Sequence, residues 1–534
     1  MNERNFLNKH LLKINYWKFD FNNHHIILGS MCPVIVPKPN EIKINQGNFT
    51  LTDNFTIYLD PKLDLTNVKD FITEHFLPPT GFHFQVETSN QGNAKLCFIH
   101  KENIPREGYE LELTSDKLTV HASSVSGHFY GLITFMQLLP PEIFSNEKSN
   151  SITWQAPCVS IKDSPQYEWR GMHLDCSRHF FNVDECKKYI YWMSLHKLNT
   201  FHWHITDDQG WRFESKKYPK LTEIGSSRIE QDGSKYGPYY FTQEQMKDVV
   251  AYAKKLCITV VPEIEMPGHS CAALAAYPEL SCGIDLPIAV ENQWGIFKPN
   301  YCLGNEKTIQ FLKDILAETM EIFDSEYIHI GGDEVLPDYW LKCPKCQAVW
   351  KRENIKNPMD YQCWFNRQIA AFINEHGRKM IGWDEIMEEK LPKNNAIMAW
   401  NSAQTGAEAV ALGYHVVLTP NECFYFDHCQ FAKNDNYTYI GGMATLENVY
   451  NFDPVSRVSD RNLIIGVQAN CWSERIFGFE DCQWKVFPRL CALSEVGWTK
   501  PDQKNFTSFD EGLNKVHFKR LQLMHINYAH ESKI

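Results

Sequence analysis

Two rhythms of hydrophobic and polar positions divide the chain. Between Val34 and Ser160, apolar residues come in short runs at Phe49 to Leu59, Lys95 to Ile99, Gly108 to Leu113 and Lys117 to Ala122, a pattern that predicts strands. One helix interrupts them, over Ser124 to Leu139. There Phe129, Leu132, Phe135, Leu138 and Leu139 recur at spacings of three and four, giving one apolar face suited to covering a sheet. This predicts a small α+β domain over residues 34–160, closed by Pro140-Pro141 and a polar linker through Asn150. No acids, histidines or nucleophiles gather in it, so its expected role is structural. Residues 1–33 are expected to be a leader or a disordered N-terminus: the apolar piece from His25 to Met31, followed by Cys32, comes after the polar Asp20, Asn22, Asn23 and His24.

From Glu168 the rhythm becomes strand, then helix, repeated. The strands are Gly171 to Asp175, Thr200 to Ile205, Ile258 to Ile264, Tyr327 to Gly331, Lys379 to Trp383, Ala396 to Trp400, His415 to Thr419 and Leu463 to Ala469. Helical runs lie at Val183 to Leu195, Thr242 to Leu256, Thr308 to Ile322, Met359 to Glu375, Ala403 to Ala411 and Cys482 to Glu495, with a closing helix at Gly512 to Ile526. This α/β alternation predicts a (β/α)8 TIM barrel over residues 161–534.

Such a barrel carries its chemistry at the C-terminal ends of its strands. The fourth strand runs into Gly331-Gly332-Asp333-Glu334, where the glycines let the backbone turn before two consecutive carboxylates. In a regular strand those two side chains would face opposite ways, so they can share a pocket only if the strand kinks there. The other ends supply Asp175 to His179, His202 to Trp211, Glu263 to His269, Trp383-Asp384-Glu385, Trp400, Tyr425-Phe426-Asp427 and Asn470 to Glu474. Tryptophan at four of these ends is unlike ordinary turns, which favour Gly, Pro, Asn and Ser.

In their order and wording, Arg170-Gly171 to Phe180, His202 to Arg212, Pro262 to Ser270, His329 to Glu334, Trp383, Trp400, Tyr425 to Asp427 and Trp472 to Glu474 resemble the β-N-acetylhexosaminidases, family 20 of the glycoside hydrolases. The resemblance implies exo-acting removal of terminal N-acetylglucosamine or N-acetylgalactosamine from an oligosaccharide or glycan. It implies a nucleophile supplied by the substrate's own 2-acetamido group, since this family is a recognised exception to the two-carboxylate scheme of glycosidases. It assigns Glu334 as general acid and base, Asp333 as acceptor for the acetamido N–H, and Tyr425 as donor to the acetamido carbonyl. Trp383, Trp400 and Trp472 become the pocket wall; Arg178, Glu474 and Asp427 hold the far hydroxyls. Asp207 and His269 form a relay behind Glu334, a part that Asp208 could also play. A disaccharide-releasing enzyme and an inactive sugar-binding barrel share this framework. The inactive form would be expected to lose Asp333, Glu334 or Tyr425, and all three are present.

Composition narrows the partners. A hydrophobic fraction of 43% leaves ample material for a core, and a formal charge of −12 argues against a polyanionic partner such as nucleic acid. No stretch reaches the roughly 20 apolar residues of a membrane span. Nothing in the sequence sets an oligomeric state. Among the 17 cysteines, Cys343-Pro344-Lys345-Cys346 has metal-knuckle spacing, but no second pair follows it to complete four ligands. Cys282 and Cys302 bracket a 19-residue loop that a disulfide would close, which favours an extracytoplasmic, oxidising location. His202, His204, Asp207, Asp208 and Glu263 could be drawn as a zinc cluster, but the resemblance assigns them to structure or substrate. No metal and no cofactor is expected.

Overall fold

The computed structural model describes residues 33–432, 435 and 437–533, of which those from Val34 onward form one compact unit. The leader expected over residues 1–33, with Cys32, lies outside the described residues apart from Pro33.

Among the described residues, eight parallel strands close a barrel in chain order: Trp169–Asp175, Thr200–His204, Thr259–Glu263, Tyr327–His329, Lys379–Trp383, Ala396–Ala399, His415–Leu418 and Ile464–Ala469, the last pairing with the first. Each lies within two residues of its predicted ends. Their β-branched and aromatic runs are buried on both faces, as a barrel wall under a ring of helices demands. The helices start where side chains can satisfy their free N–H groups. Asn182 with Glu185 and Thr242 with Gln245 form capping boxes for Val183–Leu195 and Gln243–Lys255.

Four elements differ from expectation. The run Cys482 to Glu495 is two helices, Phe479–Val486 and Arg489–Trp498, because Pro488 cannot donate to a continuous helix. The closing helix begins earlier, at Phe506, and reaches Leu523 through a wide turn over Leu513–His517. After the fifth strand only the short turn Asp384–Ile386 replaces a helix; Asp384 Oδ2 there accepts the backbone N–H groups of Trp400 and Asn401, tying the ends of strands five and six together. The predicted strand Phe49 to Leu59 is split by a turn with Asn54 at φ 58°, giving Glu41–Thr50 and Phe55–Leu59 on opposite sides of the sheet.

Ahead of the barrel lies a sheet of seven strands among the described residues, in the order 41–50, 155–163, 109–113, 118–122, 96–100, 55–59, 84–87. The stretch Pro140 to Asn150 is therefore a connection inside this unit, since the chain re-enters the sheet at Gln155–Asp163. The helix Val125–Leu138 is buried nearly all round. One side covers the sheet; from the other, Tyr130 meets Trp498 of the barrel edge-on at 5.2 Å. Among the described residues no helix is long and apolar enough to cross a membrane.

Buried ion pairs pin the sheet under the barrel. The Arg170 guanidinium, fully buried, donates to both Glu107 oxygens at 2.8 and 3.0 Å, and Lys197 Nζ reaches Asp163 Oδ2 at 3.1 Å and the Tyr109 hydroxyl at 2.9 Å. Removing one member of such a pair strands its partner. Arg170→Met is expected to destabilise the fold by about 3–5 kcal/mol, read as a lower urea midpoint; an unchanged midpoint would mean that this pair does not hold the sheet to the barrel.

Candidate active site

The kink that two adjacent carboxylates require is present. Beyond His329 the backbone passes through Gly331 at φ 66°, Gly332 at φ 97° and Glu334 at φ 51°. Any side chain at Gly331 would collide with the Glu265 carboxylate, and one at Gly332 with Ile386, so both positions need glycine for space as well as for conformation. The result brings both acids to one nitrogen. His269 Nε2 lies 3.6 Å from Asp333 Oδ2 and 3.5 Å from Glu334 Oε2. Asp333 is buried, whereas the Glu334 side chain keeps 34% of its surface open, so one acid faces inward and the other faces the mouth.

Behind them, His269 Nδ1 lies 3.0 Å from Asp208 Oδ2 and 3.3 Å from Asp207 Oδ1. Asp208 is itself fixed by the Cys271 backbone N–H. Asp207 has a second set of partners, Arg178 Nη2 and His204 Nε2, each at 2.8 Å. Burial opposes a charge on His269, but Asp207, Asp333 and the hydrogen bonds to the Asp pair outweigh it and hold the ring well above its ordinary value. Burial likewise opposes a charge on Asp207, and Arg178 and His269 overcome it, holding that carboxyl well below the usual range.

The far side of the pocket is a bracket of charge. Arg178 also reaches Asp175 Oδ2 at 3.2 Å and Glu474 Oε1 at 3.9 Å, and its guanidinium lies 5.1 Å from the centre of the Trp472 ring. Burial, reinforced by Glu474, pushes Asp427 up to about 8. Aromatic rings close the wall between bracket and acids. Trp383 and Tyr425 stand 5.7 and 6.2 Å from Trp472, and Trp400 stacks on Tyr425 at 6.0 Å. Thus the structure links every site residue predicted from the sequence into one continuous cluster. Asp333 Oδ1, Asp427 Oδ1, Glu474 Oε2 and Trp472 Nε1 are buried there with no protein hydrogen-bond partner among the described residues. Such atoms are rare in protein interiors, and together they offer three acceptors and one donor to a hydroxylated ligand.

Three acids that carry no predicted part in holding substrate lie beneath this surface. Glu263 is ringed by His202 Nε2 at 3.0 Å, His204 Nδ1 at 2.6 Å and His329 Nδ1 at 3.1 Å, and it accepts the indole N–H of Trp383 at 2.8 Å. The histidines drawn above as zinc ligands are thus engaged with a carboxylate that orients the pocket wall. Glu385 accepts the Trp400 indole N–H at 3.0 Å; burial first, then Asp333 and Asp384, push it up to about 8. Glu265, under Gly331, is raised well above its ordinary value by burial and by Asp333. The alternation of Glu263 with Glu265 at the end of strand three was the available signal, because residues two apart on a strand share a face.

The family model "Glycosyl hydrolase family 20, catalytic domain" matches residues 167–501, and that for domain 2 of the same family matches residues 32–164. A beta-hexosaminidase of Porphyromonas gingivalis is 36% identical over 505 residues, covering 92% of this chain but 64% of that protein, so the chain spans less than two thirds of that relative. A beta-hexosaminidase of Vibrio furnissii is 32% identical over 87% of this chain and 76% of its own length. Among solved structures, the GH20 exo beta-N-acetylglucosaminidase of Vibrio harveyi in complex with N-acetylglucosamine superposes with a TM-score of 0.82 at 30% identity, covering 93% of this chain and 78% of that one. The chitobiase of Flavobacterium johnsoniae gives 0.79 at 31%, covering 92% and 73%.

Proposed function

Because the chain belongs to family 20 of the glycoside hydrolases, we propose that it is an exo-acting, retaining β-N-acetylhexosaminidase. It would remove terminal β-linked N-acetylglucosamine or N-acetylgalactosamine from an oligosaccharide or glycan. The observation that carries this reading is the pair Asp333 and Glu334, both within 3.6 Å of one histidine nitrogen at the foot of a tryptophan-walled pocket. The barrel, which begins at Trp169, carries the catalysis; the preceding sheet, whose last strand runs to Asp163, past the boundary expected at residue 160, supports it.

In the proposed mechanism the acetamido carbonyl oxygen attacks C1 while Glu334 protonates the departing oxygen, giving a cyclic oxazolinium. Glu334 then takes a proton from the water that opens the ring. Asp333 accepts the acetamido N–H, orienting the group and stabilising the positive charge that develops on it. Tyr425 donates to the carbonyl oxygen. Trp383, Trp400 and Trp472 enclose the acetamido methyl and exclude competing water. The Arg178, Asp427 and Glu474 bracket closes the far end of the pocket, which supports exo action.

Hydrolysis of p-nitrophenyl N-acetyl-β-D-glucosaminide, its galacto epimer and the plain β-glucoside tests this. Turnover of the acetamido substrates alone is expected, because the nucleophile belongs to the substrate. No turnover of either, by protein that still binds N-acetylglucosamine, would overturn the reading in favour of a disaccharide-releasing or purely sugar-binding barrel.

The relay gives a pH prediction. A histidine held above its ordinary value keeps its proton through neutral pH. It contributes stability in full below the unfolded value of about 6.5, and loses that contribution as pH rises through the folded value. Asp208→Asn removes one of the acceptors that raise His269, so the alkaline limb of kcat/KM is expected to move to lower pH. An unmoved limb would show that this ring does not govern it.

A further inference from the structure

The fold gathers four cysteines that the sequence keeps apart. Cys282 and Cys302 belong to the long connection after barrel strand three; Cys343 and Cys346 flank the start of Pro344–Arg352 after strand four. Cys302 Sγ lies 3.7 Å from both Cys343 Sγ and Cys346 Sγ, Cys282 Sγ lies 3.8 Å from Cys346 Sγ, and all four sulfurs lie within 4.8 Å of one another. All four are free thiols. Three are buried and Cys282 is partly so; the disulfide expected between Cys282 and Cys302 is not formed.

Geometry separates the ways four thiols can meet. A disulfide holds its sulfurs about 2.05 Å apart and would leave two separate pairs. A tetrahedral zinc tetrathiolate, with Zn–S about 2.3 Å, has sulfur–sulfur edges of about 3.8 Å. The three separations at 3.7–3.8 Å match the edges of that tetrahedron, and the fourth sulfur stays in the same group. The backbone is shaped for the approach: a side chain at Gly304, two residues beyond Cys302, would collide with the peptide between Lys345 and Cys346. Only glycine lets the one loop close on the knuckle of the other.

We propose that Cys282, Cys302, Cys343 and Cys346 bind one structural Zn²⁺ as thiolates, their protons passing to solvent on binding. Four protein ligands leave no open coordination position, so the metal takes no part in chemistry. Its effect is mechanical. The loop that carries His269 and the loop that begins at Asp333-Glu334 are clasped at their outer ends. Between site and clasp they are already stitched by Trp340 Nε1 to the Tyr301 carbonyl at 2.9 Å, Tyr339 to Asp285 Oδ2 at 2.6 Å and Lys298 to Asp338 at 3.0 Å. The metal therefore keeps the histidine in register with the two acids. The proposal rests on the sulfur geometry and stands whether or not the assigned hydrolysis is correct.

The test is metal analysis of the full chain, purified without chelator or metal-affinity resin. One zinc per chain is expected, released by a mercurial in step with loss of the four thiolates, and cobalt substitution should give the charge-transfer and d–d bands of a tetrahedral tetrathiolate. Cys343→Ser with Cys346→Ser should abolish zinc binding, while Cys97→Ser, a buried thiol in the sheet, should keep it. If the double variant is insoluble, the cobalt spectrum of the wild type decides. Disulfides by intact mass, iron in place of zinc, wild type without stoichiometric metal, or zinc retained by the double variant would each overturn the proposal.

Discussion

Glu334→Gln is expected to lower kcat/KM for p-nitrophenyl N-acetyl-β-D-glucosaminide on the order of 10²–10⁴-fold, the contribution of a positioned general acid and base. The amide matches the carboxyl in shape but can neither deliver nor accept the proton. The side chain is partly exposed and, among the described residues, its one ion-pair contact is His269, so folding should be little affected. The loss should be greater for an unactivated N-acetylglucosaminide than for the nitrophenyl substrate, because a good leaving group needs less help from an acid. That contrast separates a proton donor from a residue that merely shapes the pocket. A folded variant with wild-type turnover on both substrates would remove Glu334 from the mechanism.

Asp333→Asn is expected to cost on the order of 10²–10³ in kcat, the usual range for removing one preorganised electrostatic partner from a water-poor site. The carboxylate is buried, lies beside His269 and leaves one oxygen without a protein partner, so its charge is available to a group arriving from the pocket. An amide in its place would lose the charge that balances the developing oxazolinium. The change should also reach its neighbours. With Asp333 neutral, one of the repulsions that raise Glu385 disappears and that carboxyl should titrate lower; one of the attractions that raise His269 disappears too. A kcat loss with a shifted pH profile is therefore the expected signature. A change in KM alone would assign Asp333 to uniform binding instead.

Much of this protein was legible before the fold. The eight strands could be placed because hydrophobic periodicity is a relation between near neighbours, and glycines, prolines and capping residues punctuate it locally. Pro488 shows the same logic missed: the break it imposes on Cys482 to Glu495 was written in the chain. The strand Gln155–Asp163 was not legible in the same way. It pairs with residues more than a hundred positions earlier, and its short apolar run follows a polar stretch that reads as a linker.

By itself the sequence determined the barrel, the rim that carries the chemistry, and the acid pair with its tryptophan wall, because each is announced by residue type at a strand end. Tertiary structure alone decided the partnerships. It placed Asp208 nearer than Asp207 to His269, enclosed Glu263 among three histidines from two strands, and joined Cys282 and Cys302 to the Cys343-x-x-Cys346 knuckle. The physical reason is the same in each case. Spacing along a chain reports which way a side chain points relative to its neighbours, whereas a hydrogen bond, an ion pair or a ligand set depends on which distant side chain barrel closure brings within about 3–4 Å.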